Sequence, residues 1–234
     1  VLKLLFYILP FAVLFIPSIW VNYILKKNNK TLSDMPFTGN ELGEKILKEH
    51  KIINVSIDPI NKLDHYDPKE KKIYIGEDKL NKKSITSIAV VAHEIGHAIQ
   101  DKENYKPLIM RQKLIEKTMI FQRLGSFLLI IGLPSIFTFT KSPLITFIAA
   151  IIIMGCLSTN VLIHLITLPV EFDASFKRAL PILKKYVPKE NMQQCKSVLR
   201  AAALTYLAQS IVSIFRLKVI LFSFINIFKS IIKR

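Results

Sequence analysis

Four long apolar stretches constrain the fold of this chain more than any other feature. They cover residues 4–25, 120–139, 144–168 and 204–228. A helix that crosses a bilayer core needs about 20 predominantly apolar residues, and each stretch is near or above that length. The chain has 234 residues, of which 51% are hydrophobic, too many for an ordinary soluble domain of this size. The sequence therefore predicts a mainly α-helical membrane protein.

The first stretch predicts a retained membrane anchor. It is longer than the apolar core of a secretory signal peptide, and no cleavage site of the A-x-A kind follows it. Trp20 and Tyr23 lie near its end, where aromatic side chains prefer the membrane interface, and Lys26, Lys27 and Lys30 come next. Since positive residues concentrate on the cytoplasmic side, we expect this end of the anchor in the cytoplasm.

The second and third stretches predict a transmembrane helical hairpin, because only residues 140–143 separate them. Basic residues flank both outer ends of this hairpin, whereas the connector carries one lysine. The flanking residues are Arg111, Lys113, Lys117 and Arg123 before it, and Lys177, Arg178, Lys184 and Lys185 after it. We therefore expect both flanking regions in the cytoplasm. The fourth stretch contains Gln209, Arg216 and Lys218, and it fits either a span or a basic segment lying on the membrane surface.

These patterns divide the chain into five expected regions. They are a transmembrane anchor (1–25), a cytoplasmic zinc-motif domain (26–120), a transmembrane hairpin (121–169), a helix with a candidate metal ligand (170–203) and a membrane-associated segment (204–234). Within 26–120 we expect a small β-sheet, from a strand at 52–57 and a hairpin at 62–75 whose turn is 67–70. A short helix is expected at 39–50. Ser84 is expected to cap a helix that ends near Gln100.

The formal net charge of +16 does not indicate a nucleic-acid partner. The basic residues lie between the apolar stretches, an arrangement that favours membrane topology and anionic lipid, and no RNA- or DNA-binding motif accompanies them. Two cysteines, Cys156 and Cys195, provide no disulfide framework. The expected partners are the lipid bilayer and a peptide or protein substrate, and the sequence leaves the oligomeric state open.

The sequence His93-Glu94-Ile95-Gly96-His97 carries the strongest chemical signal. On a helix, residues four apart lie on one face, so both imidazoles can hold one Zn²⁺. Glu94 lies about 100° around the same helix, close enough to act as a general base without being a ligand. A catalytic zinc usually takes three protein ligands, so one more must come from elsewhere. Glu171, directly after the third apolar stretch, would complete a His2Glu set, and Asp173 is the nearest competitor.

The segments VVAHEIGHAIQ and LPVEFDAS, with Asp64-His65-Tyr66-Asp67-Pro68 before them, resemble the bacterial neutral zinc metallopeptidases of the YugP type. This resemblance implies a zincin-like membrane metallopeptidase with His93, His97 and Glu171 as zinc ligands and Glu94 as catalytic base. A more distant resemblance is to the M48 membrane peptidases, whose third-ligand motif is ExxAD. Here Ser175 stands where that motif has aspartate, and either Asp101 or Asp173 could orient a zinc histidine instead.

Two other polar residues, Arg178 and His164, have two interpretations each. Arg178 could stabilise a developing oxyanion or could be a solvated, lipid-facing arginine. His164 lies seven residues before Glu171, and either approaches the site or makes an interhelical hydrogen bond. His65 fits a turn and His50 the surface.

The sequence therefore favours a membrane-anchored zinc peptidase with its site at the cytoplasmic bilayer surface. Two rivals remain from other classes: a non-catalytic zinc-binding adaptor or chaperone-like protein, and a basic lipid-surface protein with an accidental motif.

Overall fold

The computed structural model describes residues 2–61 and 63–232. Lys62, where the predicted hairpin begins, lies outside the described residues, as do Val1, Lys233 and Arg234 at the ends of the first and last predicted regions. The helices are α1 (Leu2–Lys27), α2 (Gly39–Glu49), α3 (Glu77–Leu80), α4 (Ile85–Lys102), α5 (Lys106–Phe127), α6 (Leu133–Thr140), α7 (Pro143–Phe172), α8 (Leu180–Tyr186) and α9 (Met192–Ile232). The strands are β1 (Ser56–Ile60), β2 (His65–Asp67) and β3 (Lys72–Gly76). The prediction of a mainly helical protein with a small sheet is confirmed.

Short π-helical segments join some of these helices into longer rods. Leu128–Gly132 connects α5 to α6, and Asp173–Ala179 connects α7 to α8. By contrast, the helix predicted over 170–203 is interrupted after Tyr186. Proline disfavours helical backbone in the residue before it, and Val187, which precedes Pro188, has extended torsion angles of φ −102° and ψ 136°. A short 3₁₀ turn over Lys189–Asn191 then leads into α9.

The chain forms two compact units. The first, called here the sheet unit, consists of Phe15–Ile109 and Thr167–Tyr206, and the second, the helical unit, includes Met110–Ile166. The order of strands in the sheet is β1-β3-β2, with β1 parallel and β2 antiparallel to β3. Asp67 Oδ1 accepts hydrogen bonds from the backbone N–H groups of Lys69 at 2.8 Å and Glu70 at 3.1 Å, which closes the predicted turn.

The first strand begins later than the pattern predicted. Lys51 has a left-handed φ of 53°, so the chain turns at this point and Ile52 packs into the core before any strand starts. Pairing with β3 begins only at Ser56, opposite Lys72. The predicted strand over 52–57 is therefore wrong in its bounds, because the apolar residue at 52 belongs to the core rather than to an alternating strand.

Helix α4 is the centre of the sheet unit. Ser84 caps it as predicted, accepting a hydrogen bond from the backbone N–H of Ser87 at 3.1 Å. Every residue from Ile85 to Gln100 is buried, so this helix is surrounded by other elements rather than lying on a surface. Polar groups on such a helix have to find partners inside the protein, and two of them do so at its first turn. Thr86 Oγ1 donates to the carbonyl of Leu25 at 2.7 Å, and Ser84 Oγ donates to Asn29 Oδ1 at 2.8 Å.

Among the described residues, three helical rods are long and apolar enough to cross a membrane. They are Lys106–Thr140, Leu144–Tyr186 and Lys189–Phe222. In the helical unit, a side-chain carbon placed on Gly125 would lie 2.7 Å from Cys156 Cβ, so the first two rods pack closely there. The third rod contains most of the segment for which the sequence left two membrane interpretations open. The role of α1 as an anchor and the boundaries of the five regions remain predictions.

Candidate metal centre

Helix α4 presents the two histidines of the motif side by side. The ring centroids of His93 and His97 are 4.8 Å apart, as expected for residues separated by one helical turn. Both side chains are buried, and so is Glu94 between them in the sequence. The i, i+4 spacing therefore brings together two metal-binding side chains in a site largely closed to solvent.

Glu171 reaches these histidines from the last turn of α7. Its Oε2 atom lies 3.1 Å from His93 Nε2 and 3.3 Å from His97 Nε2, and the residue is 1% exposed. The three ligand atoms all lie within 4.8 Å of one another. Asp173, the competing candidate, points its carboxylate at Gln100 and Arg178 instead. The structure thus brings together the set of residues that the sequence favoured.

The chemistry of this cluster fits a zinc ion. Zinc binds histidine nitrogen and carboxylate oxygen at about 2.0–2.2 Å, so two ligands of a tetrahedral ion are about 3.3 Å apart. The separations of 3.1 and 3.3 Å between Glu171 Oε2 and the two Nε2 atoms match this value. Where the hydrogen of a neutral imidazole is on Nδ1, its Nε2 atom is an acceptor, and an acceptor beside a carboxylate oxygen is unfavourable unless a cation lies between them. His93, His97 and Glu171 are therefore the residues that could hold the metal.

The outer nitrogen of each imidazole also has a partner. His93 Nδ1 lies 2.9 Å from Ser175 Oγ, and His97 Nδ1 lies 2.9 Å from Gln100 Oε1. Ser175 therefore contacts the first histidine of the motif although its side chain is shorter than that of an aspartate. The sequence interpretation missed Gln100, whose position three residues after His97 on α4 could have indicated a contact on the same face.

Asp101 does not orient a histidine, and Asp173 does so only through another residue. Asp101 Oδ2 accepts from Tyr66 Oη at 2.6 Å and from Lys71 Nζ at 2.5 Å. Burial, together with the hydrogen bond and negative charge of Asp101, raises the pKa of Tyr66, so the phenol stays a donor. The carboxylate of Asp101 is therefore bound by the β2–β3 hairpin and not by a histidine. Asp173 Oδ2 accepts a hydrogen bond from Gln100 Nε2 at 2.8 Å, and the other end of the Gln100 amide contacts His97.

Arg178 is engaged in ion pairs within the sheet unit, which differs from both sequence interpretations. Its Nε donates to Asp173 Oδ2 at 2.7 Å, and its Nη1 donates to Glu103 Oε2 at 2.8 Å. The guanidinium also lies over the ring of Tyr105, 5.5 Å from the centroid. Its side chain is 13% exposed. These contacts tie the end of α4 to the π-helical segment and give the guanidinium a structural role.

The remaining histidines lie outside the cluster. His65 belongs to β2 rather than to a turn, and its ring stacks on Tyr74 with centroids 5.0 Å apart. His50 follows α2 as its C-cap residue and is half-buried. His164 belongs to the helical unit.

Gly96 permits the close approach of α4 to the π-helical segment. A Cβ atom at this position would lie 2.7 Å from the carbonyl oxygen of Ala174 and 3.2 Å from its Cα. We expect Gly96→Ala to destabilise the protein by about 1–3 kcal/mol, because backbone cannot move aside as a side chain can. Thermal unfolding in detergent measures this effect.

Gly155→Ala is the matched control, since a Cβ there meets nothing within 4 Å. Alanine is the better helix former, so this change should leave stability equal or slightly higher. Equal stability of the Gly96→Ala protein would show that the two backbones are not in tight contact.

Comparisons with known proteins identify the family of this chain. The family described as "Putative neutral zinc metallopeptidase" matches residues 3–225. A protein of Bacillus subtilis named "Putative membrane protease YugP" is 32% identical over 217 residues, which cover 89% of this chain and 92% of that protein. No solved structure matches the chain. The match over nearly the whole chain and the shared identity show that this protein belongs to the neutral zinc metallopeptidase family.

Proposed function

We propose that this protein is a membrane-anchored peptidase that binds one Zn²⁺ through His93, His97 and Glu171 and hydrolyses peptide bonds. The observation that carries the proposal is the convergence of two imidazole nitrogens and one buried carboxylate at the separations of zinc ligands. The family description and the name of the Bacillus relative support the same activity.

Glu94 is the catalytic base in this proposal. Zinc at this site would supply a Lewis acid that polarises the scissile carbonyl and makes water acidic enough to attack it near neutral pH. Glu94 accepts the proton of the attacking water and returns it to the leaving amine. Its position next to His93 on α4 and its burial support this role, because a carboxylate in a site closed to bulk solvent exchanges its proton with the reactants.

An extended peptide is the substrate that the sheet fits best. The strands β1 and β2 are the two edges of the sheet, but β1 contains Pro59, which has no N–H to donate. Strand β2 contains no proline, and Tyr66 in this strand bonds Asp101, which lies one turn after His97 on α4. We propose that the substrate backbone pairs with β2 and thereby runs past the metal centre.

The proposed location of the site is the cytoplasmic face of the cell membrane, in a multi-pass protein. Glu171 directly follows an apolar stretch in the chain, and lysines and arginines flank the stretches on the side assigned to the cytoplasm. The proposed substrates are therefore membrane proteins with an extended cytoplasmic segment.

Metal removal tests the proposed function. The purified full-length protein in detergent is expected to contain about one zinc per chain and to cleave an unstructured protein substrate. A chelator should abolish cleavage, and added zinc should restore it. Stoichiometric zinc without cleavage of any substrate would favour a non-catalytic adaptor, and absence of zinc would indicate an accidental motif; either result overturns the proposal.

A further inference from the structure

We infer that Gln100 and Ser175 are positioning residues that hold the two imidazoles with hydrogen on Nδ1, so that both Nε2 lone pairs point at the metal position. The inference rests on the proposed zinc site. A histidine can coordinate through either nitrogen, and the partner of the other nitrogen decides which one is used. Here the Nδ1 atom of each imidazole contacts a side chain, and the other hydrogen bonds of that side chain determine that it accepts a hydrogen from Nδ1.

The orientation of the Gln100 amide determines the tautomer of His97. Gln100 Nε2 lies 2.9 Å from the carbonyl oxygen of Val170 and 2.8 Å from Asp173 Oδ2. A carbonyl oxygen can only accept, so the amide NH₂ group has to face it and the amide oxygen faces the other way. That oxygen, Oε1, lies 2.9 Å from His97 Nδ1 and accepts its hydrogen. The lone pair of His97 is therefore on Nε2, towards Glu171.

Arg178 keeps this chain of hydrogen bonds in place. Its Nε donates to the same oxygen of Asp173 that accepts from Gln100, and its Nη1 is held by Glu103. The side chain of Gln100 is fully buried, so its amide does not exchange hydrogen bonds with bulk water. Asp173, which the sequence suggested as a possible partner of a zinc histidine, thus holds Gln100 instead, and Gln100 contacts the histidine.

Ser175 performs the equivalent role for His93 with a single hydroxyl. Its O–H donates to the backbone carbonyl of Leu199 in α9 at 3.2 Å. The hydroxyl has only one hydrogen, so its oxygen accepts from His93 Nδ1 at 2.9 Å. The lone pair of His93 is then on Nε2. Glu171 and Ser175 therefore contact opposite nitrogens of one imidazole.

Zinc affinity of variants tests the inference. Gln100→Met keeps the length of the side chain without hydrogen bonds, and Ser175→Ala removes only the hydroxyl. We expect each to weaken zinc binding by about 10–100-fold, the usual effect of losing the partner of a ligand. Competition with a zinc-binding dye measures the affinity. The matched controls are Gln193→Met and Ser197→Ala in α9, away from these contacts. Their zinc affinity is expected to equal that of the unchanged protein.

Two spectroscopic readouts separate positioning from folding. Cobalt in place of zinc should give an altered visible spectrum in Gln100→Met and Ser175→Ala, because the imidazoles are no longer held in one orientation. In the unchanged zinc protein, ¹⁵N resonances of histidine should show metal on Nε2 and hydrogen on Nδ1 for both His93 and His97.

The possible failures are distinct. Absence of zinc in the unchanged protein would overturn the proposed function and this inference with it. Zinc bound with unchanged affinity and cobalt spectrum in both variants would overturn the inference alone. Coordination through Nδ1 of either histidine in the unchanged protein would also overturn it, even if the variants fail to fold.

Discussion

Glu94→Gln is expected to keep a full complement of zinc and to lower the rate of peptide hydrolysis by about 10²–10⁴-fold, the usual contribution of a general base. Glutamine has nearly the same shape as glutamate, so the buried position on α4 should accept it. The amide cannot take up the proton of the attacking water, and the step that depends on this transfer becomes slow. The zinc-binding groups are unchanged, so metal content and turnover should respond differently.

The measurement compares zinc content, kcat and KM of the unchanged and variant proteins in the same detergent. Because the change removes a group that acts in the transition state, most of the loss should appear in kcat rather than in KM. Glu77→Gln, at an exposed position in α3, is the matched control and should leave kcat unchanged. A Glu94→Gln protein with full activity would refute the assignment of the base, and one that loses its zinc would place Glu94 among the groups that maintain the metal site.

The part of the site that depends on local spacing could be predicted from the sequence. His93 and His97 lie one helical turn apart, and a helix with this periodicity and a serine cap is encoded within about 20 residues. The turn at Asp67 and the interruption before Pro188 follow equally local rules, although the second was not used in the sequence interpretation. Local signals of this kind need no knowledge of the fold.

The third ligand required a choice that local rules could not make. Glu171 is 78 residues from His93, and Asp173 had the same type of side chain two residues later. On the rod, positions 171 and 175 both face His93, whereas Asp173 faces Gln100 and Arg178. Helical geometry places Glu171 and Asp173 on different faces of the rod. Only the packing of α4 against the rod shows that the face of Glu171 is the one towards the histidines.

The partners of the histidines were the least predictable part. Carboxylates were expected there because they commonly hold zinc histidines, yet Asp101 is bound by Tyr66 and Lys71. These contacts join α4 to strand β2 and to the turn before β3, which are 35 and 30 residues away, and no sequence pattern around Asp101 indicates them. An amide and a hydroxyl then fill the positions beside the imidazoles. Which polar residue serves a buried histidine is decided by competition among all the nearby donors and acceptors.

Glu171→Ala is expected to lose zinc almost completely, with an effect larger than the roughly 10–100-fold that the outer partners contribute. The change removes one of the three proposed protein ligands and the only negative charge among them. It also leaves a cavity at a position that is 1% exposed. Two imidazoles that remain on one helix turn bind zinc weakly, because the metal then depends on water for its other ligands.

Thermal unfolding with and without zinc distinguishes a lost ligand from a lost fold. A ligand that binds only the folded state at 100 times its Kd stabilises it by about 2.7 kcal/mol, so zinc should raise the Tm of the unchanged protein. The Glu171→Ala protein should unfold cooperatively but show no rise in Tm with zinc. Glu171→Gln, which fills the cavity and keeps a weak oxygen ligand, should lie between the two. Undiminished zinc affinity in Glu171→Ala would mean that another group completes the site, and the convergence of the α7 carboxylate with the α4 imidazoles would then have no role in binding the metal.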